Sequence, residues 1–177
     1  MVKIKKENIL ISDNFNIFDY IDFDYTEEDI LHFNNSKYIL INNQYDLINY
    51  IKASINDYHS IKLKAIIGRI PSYIVHKIKE SINKDFTDFS FVYDKDNIRH
   101  IFSRHIKNEK ENIPLNYEEL LLFPYILCFY DEIEIYEVKN ILIARKWIKN
   151  RYQLIIEFSY KTKSIVLKTM YKIKKER

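Results

Sequence analysis

Four runs of alternating apolar residues close the chain: DEIEIYEV at 131–138, ILIARKWI at 141–148, YQLIIEFSY at 152–160 and SIVLKTMYKI at 164–173. Period-two alternation buries one face of a strand and leaves the other wet. The links between these runs are short and polar, Lys161–Thr162 among them. Short links join strands antiparallel, because a parallel return takes roughly a dozen residues or more. The end of the chain therefore reads as a four-stranded antiparallel meander.

Ahead of it, the apolar period changes from two to that of a helix. PSYIVHKIKESINK sets Ile74, Val75, Ile78 and Ile82 on one side, with Pro71 at the first helical position, where its missing N–H costs nothing. KDNIRHIFSRHIKN carries a stripe of Ile98, Ile101, Phe102 and His105. NYEELLLFPYIL reads as a third helix, broken near Pro124. Between the first two, FTDFSFVYD is a short extended segment. Helices followed by a meander make an α+β pattern.

The first sixty residues mix short apolar runs with acidic turns. KIKKENILI alternates weakly, TEEDILHF opens as a helix with Thr26 as its N-cap, and SKYILI reads as a strand. NQYDLINYIKASIN lines up Leu47, Ile48, Ile51 and Ile55 as a helix, and HSIKLKAIIGRI reads as a strand ended by Gly68, the one glycine of the chain. With 177 residues the chain is one large domain or a domain with an added segment. The division expected is an acidic accessory subdomain at 1–65 and a main domain at 66–177, with Gly68–Pro71 as the seam. The opening MVKIKKENILISDN lacks the apolar stretch of a secretory leader. No run approaches the roughly 18 apolar residues of a membrane span. Cys128 is the single cysteine, which forbids an internal disulfide and points to a reducing, cytoplasmic setting.

Charge is unevenly spread. Residues 1–60 hold 5 Lys/Arg against 10 Asp/Glu, residues 61–137 hold 11 against 13, and residues 138–177 hold 12 against 2. The net +3 thus hides an acidic front and a strongly basic end. In that end the cations alternate with apolar residues, so Arg145, Lys146, Lys163, Lys168 and Lys172 should project from a folded sheet toward a polyanion, RNA being the candidate.

The segment IRHIFSRHI, 98–106, concentrates two of the five histidines with two arginines. His100 and Arg104 are four residues apart and share a helix face, whereas His105 lies about 140° round from His100. The bland reading makes His100 an exposed polar residue and His105 a half-buried one bonded to a carbonyl. The alternative looks to the last strand, where strict alternation puts Leu167, Thr169 and Tyr171 on one face. Cleaving RNA without a metal needs a base for the 2′-OH, an acid for the leaving oxygen, and cations or hydroxyl donors around the phosphorane. His100, Arg104, His105, Thr169 and Tyr171 supply that inventory. Metal ligation is not expected: His32, His59 and His76 stand at no ligand spacing. Trp147 is the aromatic most open to an exposed role.

Three separated motifs then bring a resemblance. GRIPSYIVHKIKESINKDFTDFSFVYDKDNIRHIFSRH, IPLNYEELLLFPYIL and KSIVLKTMY resemble, in order, the phage-associated nuclease domains of the barnase–EndoU–colicin–RelE superfamily, over roughly residues 66 to 175. Ile106 stands where the family often has glycine after Arg-His. The resemblance implies helices packed on a four-stranded antiparallel sheet, no cofactor, and metal-independent endoribonuclease activity of a toxin or phage effector, with tRNA a candidate substrate. It carries the site over as His100, Arg104, His105, Thr169 and Tyr171, joined by Arg145 or Lys146. The first sixty residues fall outside it and are expected to cover the basic surface or to meet an antitoxin or other protein. The competing reading is a catalytically inactive RNA-binding or protein-inhibiting module on the same fold.

Overall fold

The computed structural model describes residues 14–107 and 113–173, with only the backbone of 105–107. The weak alternation of residues 3–11 lies outside the described residues. Five α-helices are present among them: α1 Glu27–Asn34, α2 Gln44–Asn56, α3 Ser72–Ile82, α4 Lys95–Lys107 and α5 Leu122–Cys128. Seven strands accompany these: β1 Tyr38–Leu40, β2 Lys64–Arg69, β3 Ser90–Asp94, β4 Glu132–Tyr136, β5 Ile141–Trp147, β6 Arg151–Ser159 and β7 Ser164–Ile173. No helix is long and apolar enough to cross a membrane, among the described residues.

The α+β class holds, but the expected sheet of four strands is corrected to one of seven, in the order β1-β2-β3-β7-β6-β5-β4. The meander β4 to β7 is antiparallel throughout. It is extended because β3 lies parallel to β7, pairing Ser90 with Ser164 and Val92 with Val166. β2 then joins β3 antiparallel, and β1 joins β2 parallel. Each of β1, β2 and β3 is legible as an extended run. What alternation does not encode is which backbone edge a run will meet, and β3 finds its partner more than seventy residues downstream.

Helices α2 to α5 cover one face of this sheet. Their apolar stripes, Leu47 and Ile51, Ile74 and Ile78, Ile98 and Ile101, and Phe123 with Ile126, meet Phe91, Tyr93, Leu154, Ile156, Leu167 and Met170 in one buried cluster. Phe15, Ile17, Ile21 and Ile41 belong to the same cluster. On the other face α1 lies over the β1–β3 end. Its Phe33 ring packs near Tyr38, and the Tyr25 hydroxyl just before the helix donates to Ser90 Oγ at 2.8 Å. Ile66 and Val92, 4% and 1% exposed, are buried on that side. The same face of β4–β7 carries no helix, among the described residues.

Local signals explain most element boundaries. Thr26 and Asp29 form a full capping box at the start of α1. Asp94 Oδ1 accepts the N–H groups of Asp96 (2.8 Å) and Asn97 (3.2 Å), capping α4. α3 ends on Asn83 at φ 54°, a left-handed stop that asparagine tolerates. The expected break near Pro124 moves upstream. Glu118–Leu121 is a 3-10 turn, and α5 runs through Pro124. Proline is third in that helix, among the first-turn positions whose N–H has no helical partner.

Candidate functional site

Strand pairing sorts the side chains of the meander into two faces. Toward the helices point Leu142, Ala144 and Lys146 of β5, Tyr152, Leu154 and Ile156 of β6, and Leu167, Met170 and Lys172 of β7. Toward the uncovered face point Arg145 and Trp147, Gln153 and Ile155, and Thr169 and Tyr171. The expected grouping of Leu167 with Thr169 and Tyr171 is therefore corrected. Ile155 opposes Thr169 while Ile156 opposes Leu167, so Lys168 is the extra residue of a β-bulge. One inserted residue exchanges the faces on either side of it. The bulge leaves Leu167 in the core and turns Thr169 and Tyr171 outward.

On the open face, a polar row crosses four strands: Glu132, Arg145, Gln153 and Tyr171 are successive cross-strand neighbours. Arg145 Nε donates to Gln153 Oε1 at 2.8 Å, and its Nη1 lies 3.2 Å from Glu132 and 3.1 Å from Glu134. Hydrogen bonding to Glu134, and then to Glu132, holds this guanidinium more firmly protonated than usual. The next row along places Ile143, Ile155 and Thr169 side by side. Lys168 pairs with Glu157 at 3.3 Å, and Lys163 is exposed in the β6–β7 turn at φ 46°.

Lys146 and Lys172 belong to the other face. Lys146 is 9% exposed and reaches Asp131 at 3.3 Å. Lys172 Nζ lies 2.5 Å from Glu119 Oε1, which also accepts the Tyr152 hydroxyl at 2.8 Å. Burial, and then the Glu119 carboxylate, push the Tyr152 phenol far above its ordinary range. Lys146, Tyr152 and Lys172 are direct cross-strand neighbours, so this buried row fastens the 118–121 turn to the sheet. The five basic candidates thus divide among the open face, the turn and the helix-facing side.

Helix α4 leaves the end of β3 and packs along β7. Beyond Val92–Val166 the two strands part, and Asn97 Nδ2 takes up the exposed edge, donating to the Leu167 carbonyl at 3.1 Å. Asn97, His100 and Arg104 follow at i, i+3 and i+7, one flank of the helix. Asn97 identifies that flank as the one turned toward β7. His100 and Arg104 on it are exposed. The His105 side chain lies outside the described residues. α4 and β7 are accordingly neighbours in space, although they lie some seventy residues apart in sequence, while Thr169 and Tyr171 point from β7 to the face opposite the one that α2 to α5 cover.

Residues with no signal of their own hold α4 there. The Tyr58 hydroxyl donates to Asp96 Oδ1. Lys95 Nζ lies 4.1 Å and the Arg99 guanidinium 4.9 Å from the Tyr58 ring centroid. Lys95 also donates to the Tyr58 and Ile61 carbonyls at 2.8 and 3.1 Å. A lone tyrosine in a turn gives sequence reading nothing to act on, and neither does an asparagine in the first turn of a helix. A separate polar cleft of about 260 Å³, bounded by Asp22, Arg69, His76, Lys79 and Asp88, opens at the Arg69–Ser90 end of β2 and β3, away from the start of α4. Burial pushes the Cys128 thiol up to about 12, so it is no nucleophile near neutrality. No group of three or more His, Cys, Asp or Glu is arranged to hold a metal ion, among the described residues.

An exposed imidazole and guanidinium stand on α4, and hydroxyls with an oriented arginine stand on the uncovered face of the sheet. Such a set can move protons and steady a phosphate. A protein-family model described as phage-Barnase-EndoU-ColicinE5/D-RelE like nuclease 3 matches residues 68–177, more than half of the chain. No curated protein and no solved structure matches it.

Proposed function

Because the chain belongs to the phage-Barnase-EndoU-ColicinE5/D-RelE like nuclease 3 family, we propose that it is an endoribonuclease that cuts RNA by 2′-OH transesterification without a metal. The observation that supports this reading is that α4, which carries His100 and Arg104, packs along β7, the strand that bears Thr169 and Tyr171. One imidazole takes the 2′-OH proton. The 2′-oxygen forms a bond to phosphorus, and the bond from phosphorus to the 5′-oxygen breaks. A second acid returns a proton to that oxygen, leaving a 2′,3′-cyclic phosphate and a free 5′-hydroxyl. His105 is the base and His100 the acid in this scheme, and the two can exchange; His105 enters it on sequence alone. Arg104, aided by Arg145, offsets the charge that builds on the phosphorane, and the hydroxyls of Thr169 and Tyr171 donate to its oxygens. Lys146 has no part in it, since it faces the helices.

RNA, tRNA included, is the proposed substrate in the cytoplasm of a bacterial or phage-infected cell, with a protein inhibitor as a further partner through the acidic N-terminal segment. Purified protein in EDTA is expected to cut total tRNA and leave cyclic phosphate ends, and His100→Ala and His105→Ala each to slow cutting at least 100-fold. Wild type and His105→Ala equally inert on that RNA would sink the proposal. Charge reversal at Lys168 separates the inactive RNA-binding alternative, in which binding weakens while the histidine variants behave as wild type.

A further inference from the structure

The single tryptophan of this chain is not used for the core. Trp147 is 43% exposed at the end of β5, on the uncovered face, immediately opposite Arg151 of β6. The Arg151 guanidinium lies 5.6 Å from the indole centroid. Its ion pair with Glu132 is long, at 3.7 Å, and its Nε is buried with no hydrogen-bond partner among the described residues. The strand beneath is fixed, because the Trp147 backbone N–H donates to Asp131 Oδ2 at 2.7 Å. Trp147, Arg151 and Ile173 form the row next to Arg145, Gln153 and Tyr171. β5 and β7 lie about 10 Å apart, a span that one or two nucleotides of an extended strand cover.

We propose that Trp147 and Arg151 form a stacking platform for an unpaired base of the RNA, holding the strand on the open face next to the scissile phosphate. The inference rests on the ribonuclease reading for the identity of the ligand and adds to it a requirement for single-stranded substrate. An indole face beside a guanidinium supplies both a π-surface for a base and a cation for the adjoining phosphate. The base keeps its own edges free, so the platform tolerates any sequence. A duplex hides its base faces within its own stack, and side chains cannot reach them. Cations flank the platform: Lys149 lies in the turn between β5 and β6, and Arg151 holds its ion pair with Glu132 only at 3.7 Å, whereas Arg145 is already paired with Glu132 and Glu134.

The sole tryptophan makes the test direct, since all indole emission comes from the platform. The full chain is titrated with a 2′-O-methyl dodecamer, which the proposed chemistry cannot cut, as a single strand and as a duplex. Quenching by the single strand and little by the duplex is expected. Anisotropy of the end-labelled single strand should show affinity about tenfold lower for Trp147→Ala and Arg151→Ala, with Trp147→Phe keeping most of it. Absence of quenching, equal quenching by the duplex, or unchanged affinity in Trp147→Ala overturns the platform. Cutting of unmodified RNA in EDTA is scored separately. Quenching without cutting keeps the platform and removes the ribonuclease reading, and cutting without quenching does the reverse.

Discussion

One carboxylate oxygen of Glu119 serves two side chains at once, and both are mostly enclosed. Its Oε1 accepts from Lys172 and from Tyr152, while its Oε2 accepts the Asn116 N–H at 2.8 Å. Removing it leaves an ammonium group, 13% exposed, and a phenol without their acceptor. Such a loss is costly because the remaining charge keeps its desolvation penalty. Glu119→Ala is expected to lower unfolding stability by about 3 kcal/mol in urea titrations, and Glu119→Gln, which keeps an acceptor, by less. At Gly68 the backbone decides. It sits at φ 149°, and a Cβ there would meet the Asp22 carbonyl oxygen and Ile21 Cδ1 at 3.0 Å. Gly68→Ala should cost about 1–3 kcal/mol, measured in the same way. Equal stability to wild type would show that this stretch of β2 can relax.

Among the elements, α1 reports on acid. The Asp29 carboxyl is held below the usual aspartate range, first by the Thr26 backbone N–H and then by the Thr26 hydroxyl and Arg69. A depressed value means the folded state favours the ionised form. That contribution is complete above the ordinary value of about 3.9 and is lost as pH falls through the lower folded value. The slope of stability against pH in that acid window should flatten in Asp29→Asn. Thr26→Ala breaks the same box and is expected to cost about 1 kcal/mol at neutral pH. Helix α4 depends on its cap in a second way. Asp94→Ala should loosen its first turn, and with it the Asn97 bond to Leu167 that sets the His100–Arg104 flank against β7. If the chain is the proposed ribonuclease, RNA cutting by that variant falls by more than its loss of stability explains, as read from rates on folded protein.

At the scale of the whole molecule, one core joins residues within and outside the family match. Leu47, Tyr50, Ile51, Ala65 and Ile67 share it with Ile98, Ile101, Phe123 and Leu167. A fragment starting at residue 68 would strip β1, most of β2 and the α2 surface against which α4 packs. It is expected to lose fixed tertiary packing, seen as a collapsed near-UV circular dichroism signal. Retention of the full signal would show that residues 68–177 suffice.

Periodicity alone determined the helix stripes of α2, α3 and α4, the meander, and the Thr26 cap, because these follow from neighbours within one turn or one hairpin. The residue types of the candidate site were legible in the same way, His100 and Arg104 on one helix face and hydroxyls on the last strand. The pairing of β3 with β7, the bulge at Lys168 and the inward turn of Lys146 and Lys172 were not. Hydrogen bonds between strands are indifferent to side-chain identity, so no local pattern names a partner strand or the point where a register slips. Tertiary structure alone decided that Thr169 and Tyr171 face outward with Arg145, because a single extra residue in β7 exchanges the faces of everything beyond it.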